Sequence, residues 1–432
     1  MGRYVRRDAT WFIVGAWITI LLGVSCLPGY AQPRVRVHSQ TLVRGFERDT
    51  VEEEDTLVLP VYQYVGLDVG NAETEKVTLH VYGWGRGDLA GSDVYEDNPD
   101  GDLTYGYAQW ALADDAMHLR LGRQQVVAAS GNETVDGLLL EGGVGDSIAL
   151  SAYGGLLPGF EDETFSSEAS LYGGRVGYHM EALCDIGVSY KAIHGDGETL
   201  DERIAMDLSW SPLEPLTLTG VSQYNLNTNG WAEHTVDARL YVSDYIIHPY
   251  VQRFEYDDLF SGTSKSFNPF SALAETEEVL TLVGGDLYWR GLPRFDLGAK
   301  VENYTHDETD RDALYTSGLL TWYVGEQWQL GGELGLMDGD QDENSFHLGR
   351  LWFHWDNPFD AIPTDFITGD AIYASYEEEI FEEDTSLFLS LGVGRSFMEE
   401  ALSLKLSSDY SSDPYFESDA RVMVTLTYNL NP

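Results

Sequence analysis

The sequence predicts an all-β chain, a closed antiparallel transmembrane β-barrel of about 22 strands (roughly 18–22). Three observations predict it. Segments of about ten residues alternate apolar and polar side chains, with no amphipathic helix of comparable quality. The breaks between them alternate short and long. The series also begins and ends on the short-break side, as an even-stranded barrel with both termini in the periplasm requires. The expected architecture is therefore short periplasmic turns below and long acidic extracellular loops above.

The first element is a targeting segment. Arg3, Arg6 and Arg7 precede an apolar run from Trp11 to Leu22, and Gly29-Tyr30-Ala31 follows. A charged region, an apolar region and small residues at a cleavage point read as a secretory signal peptide over 1–31. Cys26 lacks the preceding leucine of a lipidated cysteine, and the run is short for a bilayer anchor. Residues 32–40 are expected as a periplasmic N-terminal segment and 41–432 as the barrel. No further apolar stretch of about 18 residues follows, so no membrane helix is expected.

The strands come next. Ile204, Met206, Leu208 and Trp210 alternate with Ala205, Asp207 and Ser209, and Phe295, Leu297, Ala299 and Val301 with Asp296, Gly298, Lys300 and Glu302. Trp328, Leu330, Gly332, Leu334 and Leu336 alternate with Gln329, Gly331, Glu333 and Gly335. Segments 41–48, 135–140 and 369–376 alternate least clearly. Short breaks fall at 113–116, 141–146, 211–215, 243–245, 290–294 and 324–326. Long ones fall at 91–101, 156–168, 195–202, 257–275, 305–312, 338–344 and 411–419. The connection 357–365, with two prolines, is long for a turn and is expected to form a small plug or a periplasmic contact.

Physics selects a closed barrel over a soluble sheet. In lipid every backbone donor and acceptor must pair within the protein, so a sheet must close. A soluble meander of this length needs a second layer over its apolar face, and no helices supply one. Trp110, Tyr190, Trp210, Trp289, Trp322, Tyr323, Trp328 and Tyr428 sit at segment ends, where interfacial aromatic girdles lie. The last segment carries Val422, Val424, Leu426, Tyr428 and Leu430 on one face, as a closing strand should.

Charge bounds the partners. The formal net charge is −47. Such a chain repels phosphate, which excludes nucleic acid. Acidic residues crowd the long breaks, as in "EDNPDGD" (96–102), "GDGETLDE" (195–202) and "YEEEIFEED" (376–384). The face assigned to the lumen carries Arg86, Asp88, Arg120, Arg175, Lys191, Asp207, Asp237, Arg239, Asp296, Lys300, Glu302, Glu333 and Lys405. These are the candidate lumen-lining residues. An acidic mouth over a mixed-charge lumen would concentrate cations. In "VTLHVYGWGRGDL" (77–89), Gly83, Gly85 and Gly87 share a face with Val77, Leu79 and Val81, leaving Trp84, Arg86 and Asp88 to point inward.

No catalytic constellation, metal site or cofactor is expected. His194 near Asp196 and His306 beside Asp307 lack any accompanying nucleophile signature. "DGDQDEN" (338–344) lacks the glycine and terminal glutamate of a calcium loop. Cys184 is the only cysteine beyond residue 31, so no intrachain disulfide forms there, and no haem-attachment motif occurs.

The stretches "VYQYVGLDVG" (61–70), "LHVYGWGRGDL" (79–89), "LTYGYAQW" (103–110), "LRLGRQQV" (119–126) and "VDGLLL" (135–140) resemble a porin-like outer-membrane barrel family of metal- and sulfur-reducing bacteria. The resemblance covers residues 40–160 and is architectural beyond them. It implies an outer-membrane location among lipid, and passage of small solutes or ions. It also implies an alternative, because barrels of this kind can sheathe a multihaem c-type cytochrome for extracellular electron transfer. A homo-oligomer is open on either reading.

Overall fold

The computed structural model describes residues 35–48, 56–71, 75–92, 94–95, 97–113, 116–158, 169–195, 197–260, 277–309, 311–358, 365–414 and 416–430. The expected signal peptide lies outside them.

The chain is a 22-strand antiparallel meander closed on itself. Strand β1 (Val35–Arg48) pairs on one side with β22 (Phe416–Leu430), Val37 opposite Leu430 and Phe46 opposite Arg421. On the other side it pairs with β2, formed by Thr56–Val58 and Pro60–Val69. Phe46 opposite Val58 and Val43 opposite Val61 keep one register across Leu59, so the two pieces are a single strand. Each remaining strand pairs with its sequence neighbours. Closure leaves no sheet edge, and so no row of unpaired backbone groups for lipid to solvate.

Two boundaries differ from expectation, and the weakest segments fall where expected. Of residues 32–40, expected as a periplasmic N-terminal segment, 35–40 lie in β1 and are held between β22 and β2. The segments that alternate least clearly are all strands: 41–48 in β1, 135–140 in β6 (Gly131–Val144) and 369–376 in β19 (Phe366–Ile380). Several expected long loops are tight turns on extended strands. Only residues 196–197 separate β9 (Cys184–Gly195) from β10 (Glu198–Leu213), and only 381–382 separate β19 from β20 (Glu383–Phe397). Turn residues at these points take left-handed backbone, as at Gly197, Phe381 and Glu382. Acidic residues there continue the strands because polar ends remain in water above the apolar band. The middle of connection 357–365 lies outside the described residues.

The pleat sorts the side chains. Leu334 and Leu351 are 76% and 69% exposed, and Val176, Val236, Val301 and Leu391 are exposed with them. All sit on one face of the sheet, the lipid-facing one. In water such a surface would far exceed the apolar patch a monomer tolerates; a bilayer is the solvent that fits it. On this face, near the rim that holds the termini, Tyr245 stacks on Trp289, Phe295 on Trp322 and Trp328 on Trp355. Near the opposite rim, Tyr224 meets Trp231 edge-on. Two aromatic girdles thus bound the band. Tyr323 is not part of them: as Trp322's neighbour it points the other way, and its hydroxyl donates to Asp296.

One backbone approach is unusually tight. Gly137 lies opposite Gly155, and a Cβ on Gly137 would meet the Gly154 carbonyl oxygen at 2.1 Å. Gly137→Ala is expected to force β6 and β7 (Ile148–Leu156) apart there. Thermal unfolding in detergent should show a clear fall in Tm, against little change for Ala at Gly318, whose Cβ would meet nothing within 4 Å.

Candidate functional site

The face opposite the apolar one encloses the lumen, and its charged side chains are mostly paired. Arg175 in β8 (Ser170–Met180) bridges Asp185 at 2.7 Å and Asp207, whose Oδ1 accepts from Nε at 2.9 Å. Lys300 pairs with Glu302 at 2.9 Å, and Glu302 also accepts from the hydroxyls of Tyr250 and Tyr304. Arg120 reaches Gln109 at 2.9 Å and Glu141 at 3.2 Å. Glu333 accepts from Tyr315, Asp237 from Thr219, and Asp296 from Tyr323. Arg239 and Lys405 make no ion pair among the described residues. These two stand on the same face, near the termini rim.

Arg86 and Asp88, at the top of β3 (Val77–Asp88), hold a loop in place. Arg86 donates to Asp100 at 2.9 Å and to the Asp97 carbonyl at 3.1 Å. Its guanidinium lies 4.1 Å from the centroid of Tyr95. Asp88 accepts from the backbone N–H groups of Leu59, Ala90 and Ser92. Burial, and then the hydroxyl of Tyr62, push the Tyr95 phenol up to about 12. On another loop, burial alone would raise the Glu278 carboxyl. Bonds from Thr309 and the Glu308 backbone outweigh it and hold the group below its usual range.

The most constrained part of the wall was not legible as such. The hairpin joining β5 (Met117–Ala128) to β6 folds into the lumen and crosses β7 and β8 to reach β9, β10 and β11 (Leu216–Asn225). Ser130 N–H donates to Ser189 Oγ at 3.0 Å, and Gln223 Nε2 donates to the Ala129 carbonyl at 3.0 Å. Beneath the hairpin, Val126, Val135, Leu139, Tyr153, Leu171 and Ile193 form a small hydrophobic core inside the barrel. An ionic chain closes it: Lys191 pairs with Glu133 at 2.7 Å and Asp201 at 2.8 Å, and Arg203 pairs with Asp201 at 2.8 Å. The Lys191, Asp201 and Arg203 side chains are 3%, 0% and 3% exposed. Two cations and two carboxylates balance, which is what allows such burial. A short helix, α1 (Tyr256–Leu259), seats on the same wall through Arg203 to the Leu259 carbonyl and Asn225 to the Asp258 carbonyl.

Lys191 was among the sequence candidates; Glu133, Asp201, Arg203 and Gln223 were not. Its neighbours in sequence place Asp201 in an acidic extracellular loop. The available signal was the period of two, since Asp201, Arg203, Ala205, Asp207 and Ser209 continue one face. Both ring nitrogens of His194 are engaged, by Tyr172 and Thr199, and Asp196 lies outside the described residues. Among the described residues no group of three His, Cys, Asp or Glu side chains is placed to hold a metal ion.

The fold defines the class: a closed transmembrane β-barrel with an apolar belt and a charged, partly filled lumen. No family model matches the chain, and no curated protein matches its sequence. Solved structures do resemble it. One is the siderophore receptor PirA from Pseudomonas aeruginosa, with TM-score 0.55 and 10% identity over 93% of this chain and 81% of that one. Another is the P pilus usher (PapC) translocation pore, with TM-score 0.50 and 10% identity over 92% of this chain and 100% of that one. OccK2 (OpdF) of Pseudomonas aeruginosa aligns at TM-score 0.46 and 10% identity, over 92% of this chain and 98% of that one. At these identities the likeness is one of fold.

Proposed function

We propose that the chain is a porin-like channel of the bacterial outer membrane, passing small polar solutes and ions by diffusion. One observation carries this reading: a closed 22-strand wall is apolar outside and lined inside by half-exposed ion pairs such as Arg175–Asp207. Charged groups on that face need water or protein against them, and a cylinder this wide provides a wet path. The similarity in fold to a translocation pore and to a siderophore receptor supports a role in moving material across a membrane. The inward hairpin sets the bore by occupying one side of the lumen.

The net charge of −47 gives the direction of selectivity. Carboxylates at the loop rim raise the local cation concentration at entry. Purified protein in planar bilayers should show discrete conductance steps, with reversal potentials in a salt gradient that favour cations over anions. A barrel that inserts but stays silent, and passes electrons only with an added c-type cytochrome, would overturn the channel reading.

A further inference from the structure

One side of the lumen carries an unbroken aromatic track. Tyr62 and Tyr64 of β2 lie 6.3 Å apart between centroids, Tyr64 meets Tyr82 of β3 at 6.4 Å, and Tyr82 stacks on Tyr105 of β4 (Asp100–Leu112) at 5.5 Å. The track continues through Tyr107 at 6.0 Å to His80 at 5.0 Å, while Trp84 flanks Tyr62 at 6.4 Å. It spans the levels of residues 80 to 86 on β3, about 20 Å of strand. These rings share the inward face of the sheet, since Tyr64 lies opposite Trp84 and Tyr62 opposite Arg86. They are half-buried rather than packed away.

Two features separate this wall from ordinary luminal tyrosines. Across the barrel, Tyr250, Tyr304, Tyr315 and Tyr323 each spend their hydroxyl on a carboxylate. By contrast, the hydroxyls of Tyr64, Tyr82, Tyr105 and Tyr107 make no hydrogen bond to a protein group among the described residues. They are also absent from the buried polar atoms that lack partners, so they face the open lumen. Beside the track the arginines are paired, Arg86 with Asp100 and Arg120 with Glu141, and the Asp68 carboxylate shares a 2.6 Å hydrogen bond with His80.

We propose that this track is a binding path for neutral saccharides, an inference that rests on the channel reading above. The chemistry selects that class. An aromatic face is electron-rich and favours a partly positive, apolar surface, which a sugar ring offers in its axial C–H groups. The sugar's rim of hydroxyls needs both donors and acceptors, and the free phenols together with the paired charges supply both. The paired arginines leave no free positive charge on this wall to hold an anion, and Asp68 and the acidic rim disfavour anions further.

The test uses the purified full-length protein and maltohexaose. In planar bilayers the sugar should interrupt the current reversibly, while an uncharged poly(ethylene glycol) of similar size should not. Tryptophan fluorescence in detergent, where Trp84 reports, measures binding without any need for conductance. The Tyr82→Ala/Tyr105→Ala variant should bind the sugar at least about tenfold more weakly. Tyr82→Phe/Tyr105→Phe should lose less, and Tyr315→Ala on the far wall should lose nothing. Conducting channels on which maltohexaose acts no differently from the polymer, with no fluorescence titration, would overturn the saccharide path and leave the channel standing. Sugar binding by a barrel that never conducts would overturn the channel and keep the path.

Discussion

Leu208→Arg is expected to block insertion of the barrel, whereas Asp207→Asn, one residue away, is expected to leave it assembling. Leu208 lies on the lipid face between Met206 and Trp210, opposite Gly220 of β11 (Leu216–Asn225) and Ile186 of β9. A guanidinium on the lipid face costs roughly 2–4 kcal/mol at the bilayer midplane and less toward the Trp210 girdle. That cost is a large share of the marginal stability of a folded domain. Asp207 faces inward and binds Arg175, which keeps Asp185 as a second partner, so loss of one charge leaves the arginine neutralised. Refolding from urea into lipid vesicles, followed by gel mobility, measures both yields. Equal yields for the two variants would reverse the assignment of faces.

The second large effect is expected at Lys191. Lys191→Met leaves Glu133 without its buried cation and removes one of the two partners of Asp201. Breaking a buried pair from one side costs about 3–5 kcal/mol, because the remaining charge has lost its solvent and its partner together. Among the described residues the hairpin tip then keeps the small apolar core and the bonds of Ser130 and Ala129. A raised single-channel conductance and a lower Tm should result. Adding Glu133→Gln should restore part of the stability, since it removes the orphaned charge. If Lys191→Met lowered Tm without changing conductance, the hairpin would be structural and would not set the bore.

These expectations draw on two kinds of knowledge. The alternation of residues 204–210, 295–302 and 328–336 marks both faces of the wall, because a strand's pleat sends successive side chains to opposite sides whatever its neighbours are. The break pattern likewise places the termini on one rim and brackets the strand number between 18 and 22, which closure of the sheet resolves to 22. Where the pattern weakened, the cause is physical. Segment 135–140 is apolar on both faces: Leu138 looks into lipid, while Val135 and Leu139 are buried in the core under the hairpin. A strand covered on both sides loses its period of two. The acidic run 195–202 shows the converse, since local composition reads as loop while Asp201 is fully buried between two cations.

From the sequence alone follow the barrel class, the approximate number and the facing of its strands, and the acidic character of the rim, all of which depend on spacing along the chain. Only the tertiary structure decides that Glu133 meets Lys191 and Ala129 meets Gln223, contacts 58 and 94 residues apart. It also decides that tyrosines from three strands form one track. Periodicity reports which way a side chain points, and it carries no information about what a curved, closed sheet brings to meet it.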